Sequence, residues 1–562
     1  MIVSYFYQMW RILTIWTFLI FGCFNLNSQR TLGLMLNNSD SYNGYTLWTS
    51  GKDAYLIDNC GYLINRWSTG YIPGLSCYLL ENGNLLRTGK INTAAFNGGG
   101  AGGILEEYDW NGNLVWASNF AFDTEHAHHD VEPLPNGNIL VLLWARKEND
   151  LILTAGRNPD WQPIRGLWTT KIIEIKKEGS ANYEVVWEWD LYDHLVQDFD
   201  STKLNYGIIA EHPELIDINL NGNQGLSDWA HINAIDYNED LDQIALSSRH
   251  FSEIFIIDHS TSTAEAARHT GGRWGKGGDI LYRFGNPANY DSGNSSNRKF
   301  YLQHDVRWVP EGYPNEGKLS VFNNGMSRPD GSYSTVEIWT TPMDEDENYI
   351  KEDAAYGPNN FDWTYESLMR SDFFSANVSG AHSLPNGNMM ICSGRQGDFF
   401  EVNTEKEIVW FYKNTVANGG PLIQGESGNN TQAFRATKYP DNYIGFEGKD
   451  LSPGLPVELD PLPYDCEIFE NQTTLITNTA LTGIQVYPNP VQDHLEIFSE
   501  PEGRDLNFEL FNIQGQSLLT GQLLSTRTTL ELNNFQNGIY ILKIKDLDKD
   551  EFAILKIFKQ IN

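Results

Sequence analysis

Short runs of alternating apolar and polar residues follow one another along most of the chain, separated by Asn-Gly, Asp-Gly and related turn pairs. A period of two, rich in β-branched and aromatic residues, predicts strand, turn, strand rather than helix. One such unit recurs in outline. Residues 129–146 read HDVEPLPNGNILVLLWAR, and the outline returns as HINAIDYNEDLDQIALSSR from His231 and HDVRWVPEGYPNEGKLSVFNN from His304. Shorter echoes are LENGNLLRTG (80–89), LPNGNMMICSGR (384–395) and YPDNYIGFEG (439–448). Asn136 and Asn238 each stand seven residues after a histidine, and Val309-Pro310 falls where Leu134-Pro135 does, so His129, His231 and His304 share one repeat position.

A second pattern, apolar, acidic, turn-like and then Trp-rich, alternates with the first. It reads ILEEYDWNGNLVWAS, KIIEIKKEGSANYEVVWEWD, EIFIIDHS leading to DILYRFG, STVEIWTTP leading to FDWTYES, DFFEVNTEKEIVWFYK, and AYLIDNCGYLINRWS near the start. Four short strands repeated six times predict a six-bladed β-propeller over residues 34–448. The pattern stops at SPGLPVELDPLPYD, which predicts a proline-rich linker over residues 449–482. From residue 483 a new alternation, VYPNPVQDHLEIFS through GIYILKIKD to ILKIFKQ, predicts a small β-sandwich ending at 562. The expected fold class is all-β: a propeller followed by a small sandwich.

The formal charge of −34 gives bulk repulsion towards nucleic acid and anionic membrane, so neither is an expected partner and an anionic substrate needs a local basic pocket. Residues 12–24 are almost wholly apolar, follow Arg11 and give way to NLNSQ, which predicts a signal peptide over 1–28 and export. The competing reading makes Cys23, after Gly22, a lipidated cysteine. Export permits disulfides. Cys60 and Cys77 are placed to bridge neighbouring strands, against the alternative that Cys60, Cys77, Cys392 and Cys466 are all free thiols.

Propeller geometry converts repeat positions into neighbours around an axis, so histidines about a hundred residues apart converge. The other repeats place Leu75, Ser379 and Phe434 at this position, making the histidine cluster one-sided. Arg87, Arg146, Arg249 and Arg395 follow the turn at nearly equal distances, and guanidinium groups grip oxyanions through paired donors. Imidazoles plus guanidinium suit sulfuryl or phosphoryl transfer, with one neutral imidazole attacking in line, another moving the proton and cations holding the oxygens. GGRWGKGGD (271–279) lacks the spacing of a phosphate loop, so a nucleotide donor is not expected.

From HHDVEPLPNGN, DWAHINAID with SSRH downstream, QHDVRW and SGAHSLPNGNMMICSG, the chain resembles the bacterial arylsulfate sulfotransferases. The resemblance implies a six-bladed propeller that moves sulfate from an aryl ester to a phenol by ping-pong transfer, with no nucleotide, cofactor or metal. It places the transient sulfohistidine on His304, the paired histidine and asparagine on His231 and Asn233, and the arginine eighteen residues beyond that histidine on Arg249. The remaining histidine falls on His129 or, with a slip of one, His128. Arg146 and Arg395 are further candidates for binding substrate, and family members often pair as dimers. The YPNP opening, the NGIYILKI strand and the Lys-containing end of the tail resemble the type A sorting domain of type IX secretion in Bacteroidetes, which implies the secretion machinery as a partner and a secreted or cell-surface location.

Other readings of the same residues remain open. Repeated histidines can simply tie loops to strands. HAHHD (126–130) could hold a metal through His126 and His128, which alternation puts on one strand face with His129 on the other. The funnel could belong to a non-catalytic surface propeller that binds glycans or proteins, or to a hydrolase that gives sulfate to water. His382 stands outside the register, and surface or loop placement is expected for His194, His212, His250, His259, His269 and His494.

Overall fold

The computed structural model describes residues 30–352, 354–471, 484–488, 491–499, 506–512, 517–523, 525–546 and 551–559. The expected signal segment, with Cys23, lies outside the described residues. Two units are resolved, dividing after Glu470. Nearly every regular element is a β-strand in an antiparallel sheet, as the alternation requires.

In the first unit, six sheets of four or five strands follow in chain order. The first comprises Pro73–Leu79, Leu85–Lys90, Gly103–Tyr108 and Leu114–Asn119. The second comprises Glu125–Pro133, Ile139–Lys147, Leu167–Glu178 and Asn182–Asp190. Ile232–Asn238, Gln243–Ser248, Glu253–Asp258 and Ile280–Phe284 form the third, and His304–Trp308, Leu319–Asn323, Thr335–Trp339 and Trp363–Tyr365 the fourth. The fifth runs Gly380–Ser383, Met389–Ser393, Asp398–Val402 and Ile408–Lys413, and gains Gly33–Asn37 as an outer strand. Leading strands of successive sheets pack side by side.

The sixth sheet departs from the simple repeat. Its leading strand, Ala436–Pro440, comes from the end of the unit, and its other three, Gly44–Ser50, Asp53–Ile57 and Leu63–Ser68, come from the beginning. The echo at 439–448 therefore supplies one strand and then a 3-10 turn at Ile444–Phe446, because the partner strand is already present from the start of the chain. Between sheets the core is apolar: Leu140, Leu142, Trp187 and Trp189 of the second sheet join Ile235, Ile244 and Leu246 of the third. Each such buried side chain contributes about 1.5–3 kcal/mol by leaving water.

Two expectations are corrected in this unit. Cys60 is bonded to Cys466 rather than to Cys77, and Cys77 and Cys392 are free thiols. The first part of the expected linker is not a spacer. Leu63 and Gly454 exchange backbone hydrogen bonds with Leu455 and Leu63, Tyr464 donates to the Cys60 carbonyl at 2.5 Å, and Val457 is buried. Proline restricts the segment without preventing its apolar residues from burying, and the disulfide holds it in place.

In the second unit, Gln485–Tyr487, His494–Phe498 and Arg527–Glu531 make one sheet. Ser517–Gln522, Leu506–Asn512, Gly538–Asp546 and Glu551–Lys559 make another. Leu495, Ile497 and Leu530 of the first share a core with Leu510, Leu542 and Ile557 of the second.

Candidate active site

The leading strands carry the three repeated histidines, and they are irregular there. Register shifts interrupt the pairing of Glu125–Pro133, Ile232–Asn238 and His304–Trp308 with their neighbours. His129 (φ 55°), His231 (φ 49°) and Asp305 (φ 59°) adopt left-handed backbone conformations, which are costly for side chains of this size. A bulge abolishes strict alternation, so it can turn consecutive side chains towards one place. His128 and His129 consequently lie with ring centroids 4.3 Å apart, against the expectation of opposite faces.

Three imidazoles from three sheets meet. His129 Nε2 and His231 Nε2 are 3.0 Å apart, so one must donate to the other, and the His129 and His304 rings are centred 6.4 Å apart. All three are buried. Phe434, just before the sixth leading strand, stacks on His129 at 5.3 Å and forms the apolar wall expected at that repeat position. His128 plays a different part: it lies over Trp144 at 3.7 Å, with Nε2 donating to the Gly99 carbonyl at 3.3 Å. His126 sits beside Phe96, away from the group, which disfavours the alternative of a His126–His128 metal pair; the strand's bulge instead brings His128 and His129 beside His231.

The partners of these rings set their protonation. Asp228 Oδ2 lies 2.5 Å from His231 Nδ1, while its Oδ1 accepts from Trp144 Nε1 at 2.9 Å. Burial alone would raise the Asp228 carboxyl, but the His231 ring beside it holds it well below the carboxylate range. His304 is fixed more tightly. Asn324 donates its amide N–H groups to the carbonyls of Ser375 (2.7 Å) and Val378 (3.0 Å), so its Oδ1, 2.6 Å from His304 Nδ1, can only accept. The His304 proton is therefore on Nδ1, and Nε2 carries a free lone pair. Burial, then the Arg249 charge, push the His304 pKa well below its ordinary value. Burial, then the neighbouring imidazoles, do the same to His129.

Arg249 is half-buried and its guanidinium makes no hydrogen bond or ion pair among the described residues. Asn233 is buried and donates one amide hydrogen to the Gln303 carbonyl at 2.8 Å, leaving the second. Gln303 in turn donates to Ser247, Ser248 and Glu253, tying the residue before His304 to the strand that ends just before Arg249. The expected ring of arginines is not found. Arg87 is fully buried in an ion pair with Glu106 (2.8 Å), Arg146 pairs with Glu148, and the Arg395 side chain is exposed. A strand-end arginine can satisfy a sheet internally as readily as it can face an axis, and the spacing alone does not distinguish the two.

Beside the histidines lies a layer of buried charge. Arg435 is 2.7 Å from Asp130 and 2.6 Å from Asp305, while Arg307 reaches Asp236 and Asp305 at 3.0 Å and Tyr78 at 2.9 Å. Asp130, Asp236 and Asp305 also accept from the backbone N–H of Ile235, Trp308 and Ala381, each on the next leading strand. The aspartate after the histidine in two echoes thus fastens one sheet to the next. A 610 Å³ cavity opens on the far side of this layer, with Tyr78, Glu132, Asp236, Arg307 and Arg435 in its wall; the three histidines are not part of it. His382, outside the sequence register, lines that cavity and accepts from Lys438 N.

His194, His250 and His259 lie between regular elements, as the surface-or-loop expectation allows, but none of them is at the surface. His194 is wholly buried, His250 stacks on His231 at 4.7 Å with burial lowering its pKa to about 4, and His259 bridges Asp242 and Glu174. His212, His269 and His494 are exposed as expected. Among residues the repeats did not single out, Asp228 was within reach, standing three before His231 in DWAHINAID, as was Asn324 in the terminal NN of the His304 echo.

Two predictions follow the geometry. Gly100 has φ +85°, and a β-carbon there would lie 2.2 Å from His129 Nε2. Gly100→Ala is expected to displace His129 and lower kcat/KM about 10- to 100-fold with an unchanged far-UV spectrum; wild-type kinetics would show that His129 is not held by this loop. Because His129 is neutral when folded and titrates near 6.5 when unfolded, it favours unfolding as pH falls below that value. The loss of stability between about pH 7 and pH 5 should be smaller in His129→Gln, read from denaturant midpoints, and an equal or greater loss would contradict the buried neutral ring.

A family model described as Arylsulfotransferase (ASST) matches residues 31–442, and one described as Secretion system C-terminal sorting domain matches residues 485–558. No curated protein sequence matches the chain. Among solved structures, PorZ, a surface component of the type IX secretion system of Porphyromonas gingivalis, is similar at 11% identity and TM-score 0.31, with 94% of this chain covering 51% of that one. The periplasmic gluconolactonase of Pseudomonas aeruginosa is similar at 8% identity and TM-score 0.32, with 89% and 98% covered. Virginiamycin B lyase of Staphylococcus aureus is similar at 9% and 0.30, with 69% and 89% covered.

Proposed function

The chain belongs to the arylsulfotransferase family and is an aryl-sulfate sulfotransferase carrying a secretion sorting domain, and from that premise we propose that it works through a sulfohistidine on His304, in a six-bladed propeller. The single observation that carries this reading is the Asn324–His304 bond, which leaves Nε2 as the one nucleophilic atom of that ring.

His304 Nε2 attacks sulfur, forming an N–S bond as the S–O bond to the aryl group breaks and phenolate departs. The histidine pair, its positive charge balanced by Asp228, gives the proton between its Nε2 atoms to the departing oxygen, which leaves both rings neutral with Asp228 still holding the His231 Nδ1 proton. Arg249, with no other partner, and the second amide hydrogen of Asn233 hold the sulfate oxygens. In the second half, the acceptor phenol gives its proton back to the histidine pair, its oxygen attacks sulfur, and the S–N bond breaks. His304 keeps its Nδ1 proton throughout. His128 is a wall of the site, and Arg395 guides the anion at the rim; Arg146 has no role.

The six sheets, with the sixth assembled from both ends of the unit, support the six-bladed reading over 34–448, and the two C-terminal sheets around one core support a sandwich over 483–562. The sorting domain supports secretion or cell-surface export; a leader over 1–28 fits it, since the Cys60–Cys466 bond requires an oxidising compartment. The test is turnover of a chromogenic aryl sulfate with and without added phenol. Transfer predicts a new aryl sulfate in amounts matching the phenol released; free sulfate in its place would make the protein a hydrolase.

A further inference from the structure

A second group of ligating side chains lies apart from the active site. His194 follows the outer strand of the second sheet, while His269 and Asp279 belong to the excursion between the third and fourth strands of the third sheet. His194 Nδ1 and His269 Nδ1 each lie 2.8 Å from Asp279 Oδ1. His194 Nε2 lies 2.9 Å from the Ala266 carbonyl, which can only accept, so the proton of the neutral ring is on Nε2 and its Nδ1 lone pair points at a carboxylate. Two lone pairs at 2.8 Å repel, so the contact needs a positive charge: a second proton on Nδ1, or a metal ion that takes both atoms as ligands once they move slightly apart.

The ring is built to stay there. Trp189 stacks on His194 at 5.6 Å with planes 8° apart, and its indole N–H donates to the Gly278 carbonyl at 2.7 Å, fixing the backbone beside Asp279. His194 is fully buried and Asp279 nearly so, while the His269 side chain is 58% exposed and leaves a way in from solvent. An orienting carbonyl on the non-ligating nitrogen of a histidine is the usual support of a bound metal. In a tetrahedral zinc site ligand atoms stand about 3.3 Å apart, so small shifts of Asp279 and His269 would admit the ion.

We propose that His194 Nδ1, His269 Nδ1 and Asp279 bind a divalent zinc-class ion that clamps the 259–279 excursion of the third sheet to the end of the second. Two imidazoles and one carboxylate select zinc or a neighbouring transition metal over calcium or magnesium, which prefer oxygen ligands alone. The fourth position faces solvent and takes water.

The full chain, treated with chelator and then dialysed, is titrated with zinc by calorimetry and its metal content is measured. One equivalent is expected, with affinity at least about 10-fold weaker in His269→Ala and in Asp279→Asn, unchanged in His231→Ala, and an unfolding temperature raised by zinc only when the site is intact. Since His269 is exposed, its variant folds and isolates the ligand role. No binding, binding unaffected by either variant, or binding lost in His231→Ala would overturn the proposal; the first result would mean that a proton on His194 serves in place of the metal.

Discussion

Replacing His304 by alanine is expected to abolish transfer, lowering kcat/KM by about 10⁴-fold or more, since nucleophile and intermediate disappear together. Incubation of the parent protein with aryl sulfate alone should leave one sulfuryl group on the peptide containing His304, detected by mass spectrometry, and His304→Ala should carry none. Asn324 is oriented by two carbonyls, so it accepts the Nδ1 proton and exposes the Nε2 lone pair. Burial and the Arg249 charge keep the ring neutral, so the nucleophile persists below the ordinary imidazole range and the acid limb of activity should lie low. Label on His129 or His231 in place of His304 would reassign the nucleophile; no label, with transfer intact, would favour direct donor-to-acceptor transfer.

The second large effect is expected at Asp228. Its carboxylate holds the Nδ1 proton of His231 and so decides which way the His231–His129 contact can pass a proton. Asp228→Asn keeps the shape and the partner Trp144 but can present an N–H to His231 Nδ1, reversing the tautomer. We expect kcat/KM to fall by about 10²- to 10⁴-fold, with a smaller loss for donors whose leaving phenol is acidic and needs no proton. A uniform loss across leaving groups would place Asp228 in binding rather than proton transfer, and no loss would remove the relay from the mechanism.

The strands, their alternation and the repeat were legible because periodicity is a local property. His129, His231 and His304 stood out as repeated polar residues at the heads of apolar strands, and Asp130 and Asp305 travelled with two of them. The arginines misled for the opposite reason. Arg87 and Arg249 occupy like positions after the turn, yet Arg87 meets Glu106 on the adjacent strand and Arg249 pairs with none of the described residues. The disulfide was out of reach, since Cys60 and Cys466 are 406 residues apart and come together only when the segment after the last sheet folds back.

By itself the sequence determined strand period, the all-β class and the residue types able to move a sulfuryl group, because each is written in neighbouring residues. Tertiary structure decided which atoms meet. Left-handed backbone at His129 and His231 turns the rings together, Asn324 and Asp228 choose their tautomers, and the first and last strands of the unit share one sheet. These outcomes depend on contacts between residues far apart in the chain, where no local pattern constrains which donor meets which acceptor.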